Sequence, residues 1–276
     1  MTRFFTLLFA AAVGLTTTTT ATAQTVTVPY NPDGDSNGLI GVADLQDLLT
    51  TYGGAFVPGS IVVDSIELGE ILDSLQAQIN AFRCGDDVLH EGYWYNTTAI
   101  GGQCWFAENV RYLPEVSPSS AGSAVDPHAY VSGYQGTDVS EAKNTLEYHQ
   151  FGAVYNFPAV QQWNLCPEAW HVPTDLEWTE MTSSLGSEEF AGNMMKAKYG
   201  DAWDGTNLSG FSGLPGGIRD SNGFFFGAEY YGYWWSFSPN GSSAWNRNLV
   251  SYNEDVSRDS NFQRSGFSVR CVRDAE

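Results

Sequence analysis

The sequence predicts an α+β protein in three parts: a small calcium-loop segment, a helical stalk, and a large loop-rich domain of short strands and two helices. Three observations predict it. An Asp/Asn/Gly-rich loop stands at residues 33–44, and an apolar seven-residue spacing runs over residues 61–82. From Cys84 onward the composition turns to Gly, Trp, Tyr and Asn, with short β-forming runs between turn residues.

Residues 1–23 have the order of a secretory signal peptide: Arg3, an apolar run over residues 4–15, a Thr-rich stretch, and Ala21-Thr22-Ala23 before Gln24. The apolar run is shorter than the roughly 20 residues a membrane span needs, and no Cys follows it for lipid attachment. The expected mature chain is soluble outside the cytoplasmic membrane, with no membrane insertion after cleavage.

In residues 24–56, Asp33, Asp35 and Asn37 offer side-chain oxygens at alternate positions, and Gly38 makes the sharp turn. Leu39 then presents its backbone carbonyl, and Asp44 closes the loop at the twelfth position. Calcium takes about six to eight hard oxygen ligands, and this is the EF-hand spacing that supplies them, so Ca2+ is the expected cofactor. Residues 43–52 read as the exiting helix. An Asp at the closing position followed by that helix resembles a dockerin repeat; a dockerin carries two such repeats and one is found here, so calcium binding is the expectation and docking of a partner protein the alternative.

Residues 57–83 form the stalk. Ile61, Leu68, Leu75 and Phe82 fall seven apart, with Leu72 and Ile79 between them and Ser65 as the exception. The result is an apolar seam on a helix of roughly 30 Å. It suits either a homo-oligomeric coiled coil or a helix packed on the next domain.

Residues 84–276 are long enough for one compact core. Residues 93–100 and 103–108 read as a hairpin turned by Gly101-Gly102. Thr174 and Glu177 have capping-box spacing and open a helix that stops near Gly186; a second helix spans residues 188–199. Short strands follow at 232–237, 244–249, 255–258 and 267–272. Residues 114–147, rich in Ser, Gly, Asp and Tyr and without periodicity, read as a long surface insertion.

Cys84, Cys104, Cys166 and Cys271 are an even set in an exported chain, which favours two disulfides and leaves three pairings open. Five motifs occur in order: Gly152-Ala-Val-Tyr-Asn156, Cys166-Pro-Glu-Ala-Trp-His-Val-Pro-Thr174, Ser209-Gly-Phe-Ser-Gly-Leu-Pro-Gly-Gly217, Gly232-Tyr-Trp-Trp-Ser236 and Gly266-Phe-Ser-Val-Arg-Cys-Val272. Together they resemble the Fibrobacter succinogenes major paralogous domain over roughly residues 84–274. The resemblance implies a bacterial, extracellular setting and a C-type lectin-like fold, with two helices on an antiparallel sheet tied from an early strand to the last. It also implies the pairs Cys84–Cys104 and Cys166–Cys271. Fold relatives include formylglycine-generating enzymes, whose chemistry uses a reactive cysteine pair; here every cysteine has a structural partner.

The chain carries 32 acidic against 12 basic residues, a net charge of -20. Over most of its surface it repels a phosphate backbone, so no nucleic-acid partner is expected. His90, His128, His149 and His171 stand far apart without metal-site spacing, and no catalytic motif is present. Trp234, Trp235 and Trp245, with Tyr230, Tyr231 and Tyr233, exceed what one face of a sheet needs. In a strand Trp234 and Trp235 face opposite ways, so one is expected in the core and the other in solvent. Trp235, Trp245, Asn246, Asn248, Asp255 and Arg258 are accordingly the candidate ligand-binding set, since aromatic faces stack on sugars while neighbouring polar groups bond hydroxyls. The expected function is an exported, non-catalytic surface protein that binds polysaccharide or surface glycan. A scaffold docking a partner protein is the alternative, and a formylglycine-generating-type enzyme a third reading.

Overall fold

The computed structural model describes Val62–Val63, Ile66–Glu67 and residues 82–274. The signal peptide, the calcium ligands Asp33, Asp35, Asn37, Leu39 and Asp44, and most of the stalk lie outside the described residues. These divide into two units, the boundary falling after Asn80. In the first, β1 (Val62–Val63) pairs antiparallel with β2 (Ile66–Glu67), in register Val62 with Glu67 and Val63 with Ile66. A helix was expected here. The β-branched run of residues 61–63 favours a strand over a helical seam.

The second unit opens with two hairpins. β3 (Val88–His90) and β4 (Tyr93–Tyr95) are joined through Glu91 and Gly92, both at positive φ, which is the backbone a two-residue hairpin turn requires. β5 (Thr97–Ile100) and β6 (Gln103–Phe106) follow, turned by Gly101-Gly102 as the sequence predicts. The stretch 114–147 is not a surface insertion. Val116, Ser117, Ser119, Ala129, Tyr130 and Val131 are buried, and β7 (Ala129–Tyr130) pairs with β8 (Val154–Tyr155). Within and after it lie three short helices the sequence does not announce: α1 (Val139–Lys143), α2 (Leu146–Phe151) and α3 (Phe157–Gln162). They are too short for a 3.6-residue period to show, but each starts on a side-chain cap, Asp138, Thr145 and Asn156 in turn.

Helix α4 (Asp175–Ser184) carries the expected capping box from Thr174 and Glu177. Helix α5 (Glu188–Met195) ends four residues before the predicted stop at Tyr199. The backbone turns extended at Lys196, whose buried ammonium donates to the carbonyls of Val250 and Asn253 at 2.9 and 2.5 Å. A tertiary anchor overrides the local helical pattern. Gly192 lets α5 approach residues 254–255: a Cβ there would meet the Glu254 and Asp255 carbonyl oxygens at 2.5 and 2.6 Å.

The remaining strands are β9 (Ile218–Arg219) with β10 (Phe225–Phe226), the meander β11 (Tyr231–Asn240), β12 (Ser243–Val250) and β13 (Ser257–Phe262), and the closing β14 (Val272–Asp274). All the ladders are antiparallel. β14 joins the edge of β6, so the last strand is tied to one of the first. Two disulfides close the same region, Cys84–Cys104 and Cys166–Cys271, the pairing the resemblance implies. The residues 267–271, expected as a strand, thread the centre of the domain, with single bridges to Tyr155 and Trp234. The domain is thus a loop-rich antiparallel β fold with five short helices among the described residues.

Two apolar clusters make the core, and adjacent aromatic residues feed both because strand side chains alternate. Phe106 and Trp235 enter one cluster with Tyr155, Trp170 and Phe267; Trp105 and Trp234 enter the other with Trp178, Trp203 and Phe211.

Candidate functional site

The structure disperses the predicted ligand set. Trp235 is fully buried; its indole N–H donates to Tyr155 O at 2.7 Å and its ring stacks 4.2 Å from Phe267. Both faces of β11 are covered at this point, so neither Trp234 nor Trp235 meets solvent. Asn246 and Asn248 are buried too, and their amides donate to the Asp259 carbonyl and carboxylate at 3.0 and 2.8 Å. Asp255 is exposed on the loop before β13.

Trp245 and Arg258 do come together, but in a structural cluster. The Arg258 guanidinium lies 3.5 Å above the Trp245 ring and forks onto Asp175, with Nη2 to Oδ2 at 2.7 Å. Buried Arg247 reaches the same carboxylate at 2.6 Å and the Thr179 hydroxyl at 2.8 Å. Desolvation alone would raise Asp175, but the hydrogen bonds from Arg258 and Arg247 hold it below the usual carboxylate range. This arrangement rivets α4 to the sheet.

Aromatic rings do reach solvent at the opposite end of β11, on the Trp235 side. Tyr233 leans on buried Phe267 at 5.0 Å; Tyr231 follows at 6.3 Å from Tyr233, and Phe226, on the β9–β10 hairpin, stacks 5.8 Å from Tyr231. The neighbouring Tyr252 phenol is the main influence that raises the Tyr231 pKa. Phe226, Tyr230 and Tyr252 are 62%, 52% and 74% exposed, so the strip runs from the core outward into water. Three segments converge here: the hairpin, the start of β11 and the β12–β13 loop. The sequence reading noted Tyr230, Tyr231 and Tyr233 but missed Phe226 and Tyr252. A signal for the first existed, since Phe224-Phe225-Phe226 sits between Gly223 and Gly227 with the bounds of a hairpin arm.

A second concavity, of about 420 Å³, is walled by Trp163, Trp170, Phe237 and Leu165, with His171 and Asn164 as polar members. His171 Nε2 lies 2.5 Å from Glu177 Oε1, and the other Glu177 oxygen accepts from the Thr174 backbone and hydroxyl, both at 2.7 Å. The bond to Glu177 raises the His171 pKa. Glu177 itself, against its own desolvation, is held low by His171 and Thr174. His171 is therefore engaged in the helix cap. Burial lowers His90, whose Nε2 meets Leu165 O at 3.1 Å. Among the described residues no group of three or more His, Cys, Asp or Glu is placed to hold a metal ion, and no helix is long and apolar enough to cross a membrane.

These features define a disulfide-closed, antiparallel β domain presenting aromatic rings at one sheet end. Residues 98–273 match the family model of the Fibrobacter succinogenes major domain, and the chain belongs to that family. No curated protein and no solved structure matches the chain.

Proposed function

We propose that this is an exported, non-catalytic protein whose C-terminal domain, on a C-type lectin-like plan, binds polysaccharide or surface glycan through the Phe226, Tyr230, Tyr231 and Tyr252 strip. One observation carries the reading: the Phe226 ring, mostly in solvent, stacks on Tyr231, and Tyr231 is backed in turn by Tyr233 and buried Phe267. Sugars offer apolar C–H faces to such rings, and a rigid ring loses little conformational entropy on binding. Two disulfides suit an oxidising compartment. Because they engage all four cysteines, they also weigh against cysteine-dependent catalysis of the formylglycine-generating type. The calcium loop at Asp33, Asp35, Asn37, Leu39 and Asp44 serves in this proposal as a separate cation-stabilised element.

The test is co-sedimentation of the full chain with insoluble cellulose, chitin and xylan, with calcium and then with chelator. Saturable binding is expected, weakened at least about tenfold in Phe226→Ala/Tyr252→Ala, since each ring contributes roughly 1 kcal/mol. Binding unchanged in that folded variant would remove the strip from the proposal. Absence of binding to any glycan would leave the strip as a protein-docking face and favour the scaffold reading.

A further inference from the structure

The loop after β6 and the segment before β14 bring two guanidinium groups to one narrow cleft of about 230 Å³, lined by Glu108, Asn109, Arg111, Gln150, Ser212 and Arg270. Arg270 is wholly buried. Its Nε donates to Asn109 Oδ1 at 2.9 Å, its Nη1 to the Phe106 and Phe211 carbonyls at 2.8 and 2.7 Å, and its Nη2 to Ser212 O at 3.1 Å. These are neutral acceptors, and they leave one Nη2 hydrogen over. Among the described residues no carboxylate lies within salt-bridge distance of this guanidinium.

Arg111 lines the same cleft, with its guanidinium 4.6 Å over the Tyr93 ring and its Nη1 on Tyr148 O at 2.6 Å. Its Nε is buried and has no acceptor. The nearest carboxylate, Glu108, is 3.9 Å from Arg111 Nη2 and already accepts from the Tyr93 hydroxyl at 2.5 Å and from the Asn96 amide at 2.8 Å. In a chain of net charge -20, this wall presents two cations against one committed anion.

We infer that the cleft is a binding site for a small carboxylate group, from a short-chain acid or an acidic sugar, held between Arg111 and Arg270. A carboxylate has the planar, two-oxygen geometry that guanidinium N–H donors match, and pairing repays a desolvation penalty the fold already bears. The volume is below the span of about 300 to 1,000 Å³ usual for larger ligands, so it admits the acid end of a molecule and not a chain of sugars. The inference rests on this cleft alone and not on the aromatic strip.

The experiment titrates the full chain, at constant ionic strength, with acetate, glucuronate, glucose and inorganic phosphate. It follows heat of binding and the Arg Nε–H resonances by NMR. Saturable binding of acetate and glucuronate but not glucose, with the Arg111 Nε–H resonance moving, is expected. Arg111→Gln and Gln150→Glu should each weaken it at least tenfold. Gln150→Glu sits on the half-buried rim and keeps the test open if the first variant fails to fold, because it sets a competing negative charge at the cleft. Glucose binding as well as glucuronate, saturation by phosphate alone, or acetate binding that survives Gln150→Glu would each overturn the assignment. Phe226→Ala/Tyr252→Ala should leave it unchanged, which separates this site from glycan stacking.

Discussion

Asn109 connects more of the core than its size suggests. Its Oδ1 accepts from Trp234 Nε1 at 2.8 Å and from Arg270 Nε at 2.9 Å, and its amide donates to Phe151 O and the Ser268 hydroxyl. Asn109→Ala would strand two buried donors, one of them charged, at a cost of about 1 to 3 kcal/mol each. A loss of at least 2 kcal/mol in urea unfolding is therefore expected; a loss below about 1 kcal/mol would show that water replaces the amide. Trp235→Ala should cost about 3 to 5 kcal/mol by the same measurement, as removal of a fully buried ring does. Phe226→Ala should stay within about 1 kcal/mol, because that ring is already mostly in water. The two substitutions distinguish core from surface on one strand system. Alternation told which way Trp234 and Trp235 point, but not that both directions are covered, since burial depends on distant segments such as 267–271.

At the scale of elements, what was legible followed local chemistry. Gly101-Gly102 set a hairpin, and Thr174 with Glu177 set the start of α4, because both signals act within a few residues. The helical reading of residues 61–82 misses the strands at Val62–Val63 and Ile66–Glu67, and the α5 stop was misplaced because Lys196 is pulled to carbonyls more than fifty residues away. The burial of Trp235, Asn246 and Asn248 within the candidate ligand set was illegible for the same reason, since it depends on segments remote in sequence. The α4 cap also carries a pH prediction. The folded His171 pKa lies above its ordinary 6.5, so the stability from its bond to Glu177 is full below 6.5 and is lost as pH rises through the higher folded value. Glu177, held low, contributes above its ordinary 4.5 and loses that as pH falls through the depressed value. The pair therefore supports α4 most between the two, by no more than about 1 kcal/mol because His171 is half exposed. His171→Gln should flatten the decline in unfolding free energy from mildly acidic to alkaline pH; an unaltered slope would assign that decline to other groups.

For the whole molecule, the two disulfides do unequal work. Cys84–Cys104 closes a sequence separation of 20 within the opening hairpins, where the β5–β6 ladder already holds the chain. Cys166–Cys271 spans 105 residues and joins the segment before α4 to the residue that precedes β14. In the chain-entropy account the first restricts the unfolded chain by about 3 kcal/mol and the second by about 4.7 kcal/mol. A net charge of -20 adds self-repulsion that favours expansion once the long loop is released. With total stability for such a domain on the order of 5 to 15 kcal/mol, loss of the long bridge removes a large share of it. Cys166→Ser/Cys271→Ser should accordingly lower the urea midpoint more than Cys84→Ser/Cys104→Ser, and raising salt should restore more of the loss in the first variant by screening the acidic chain. Equal midpoints, or a larger effect of the short bridge, would mean that contacts around the opening hairpins and not loop closure limit the stability of this fold.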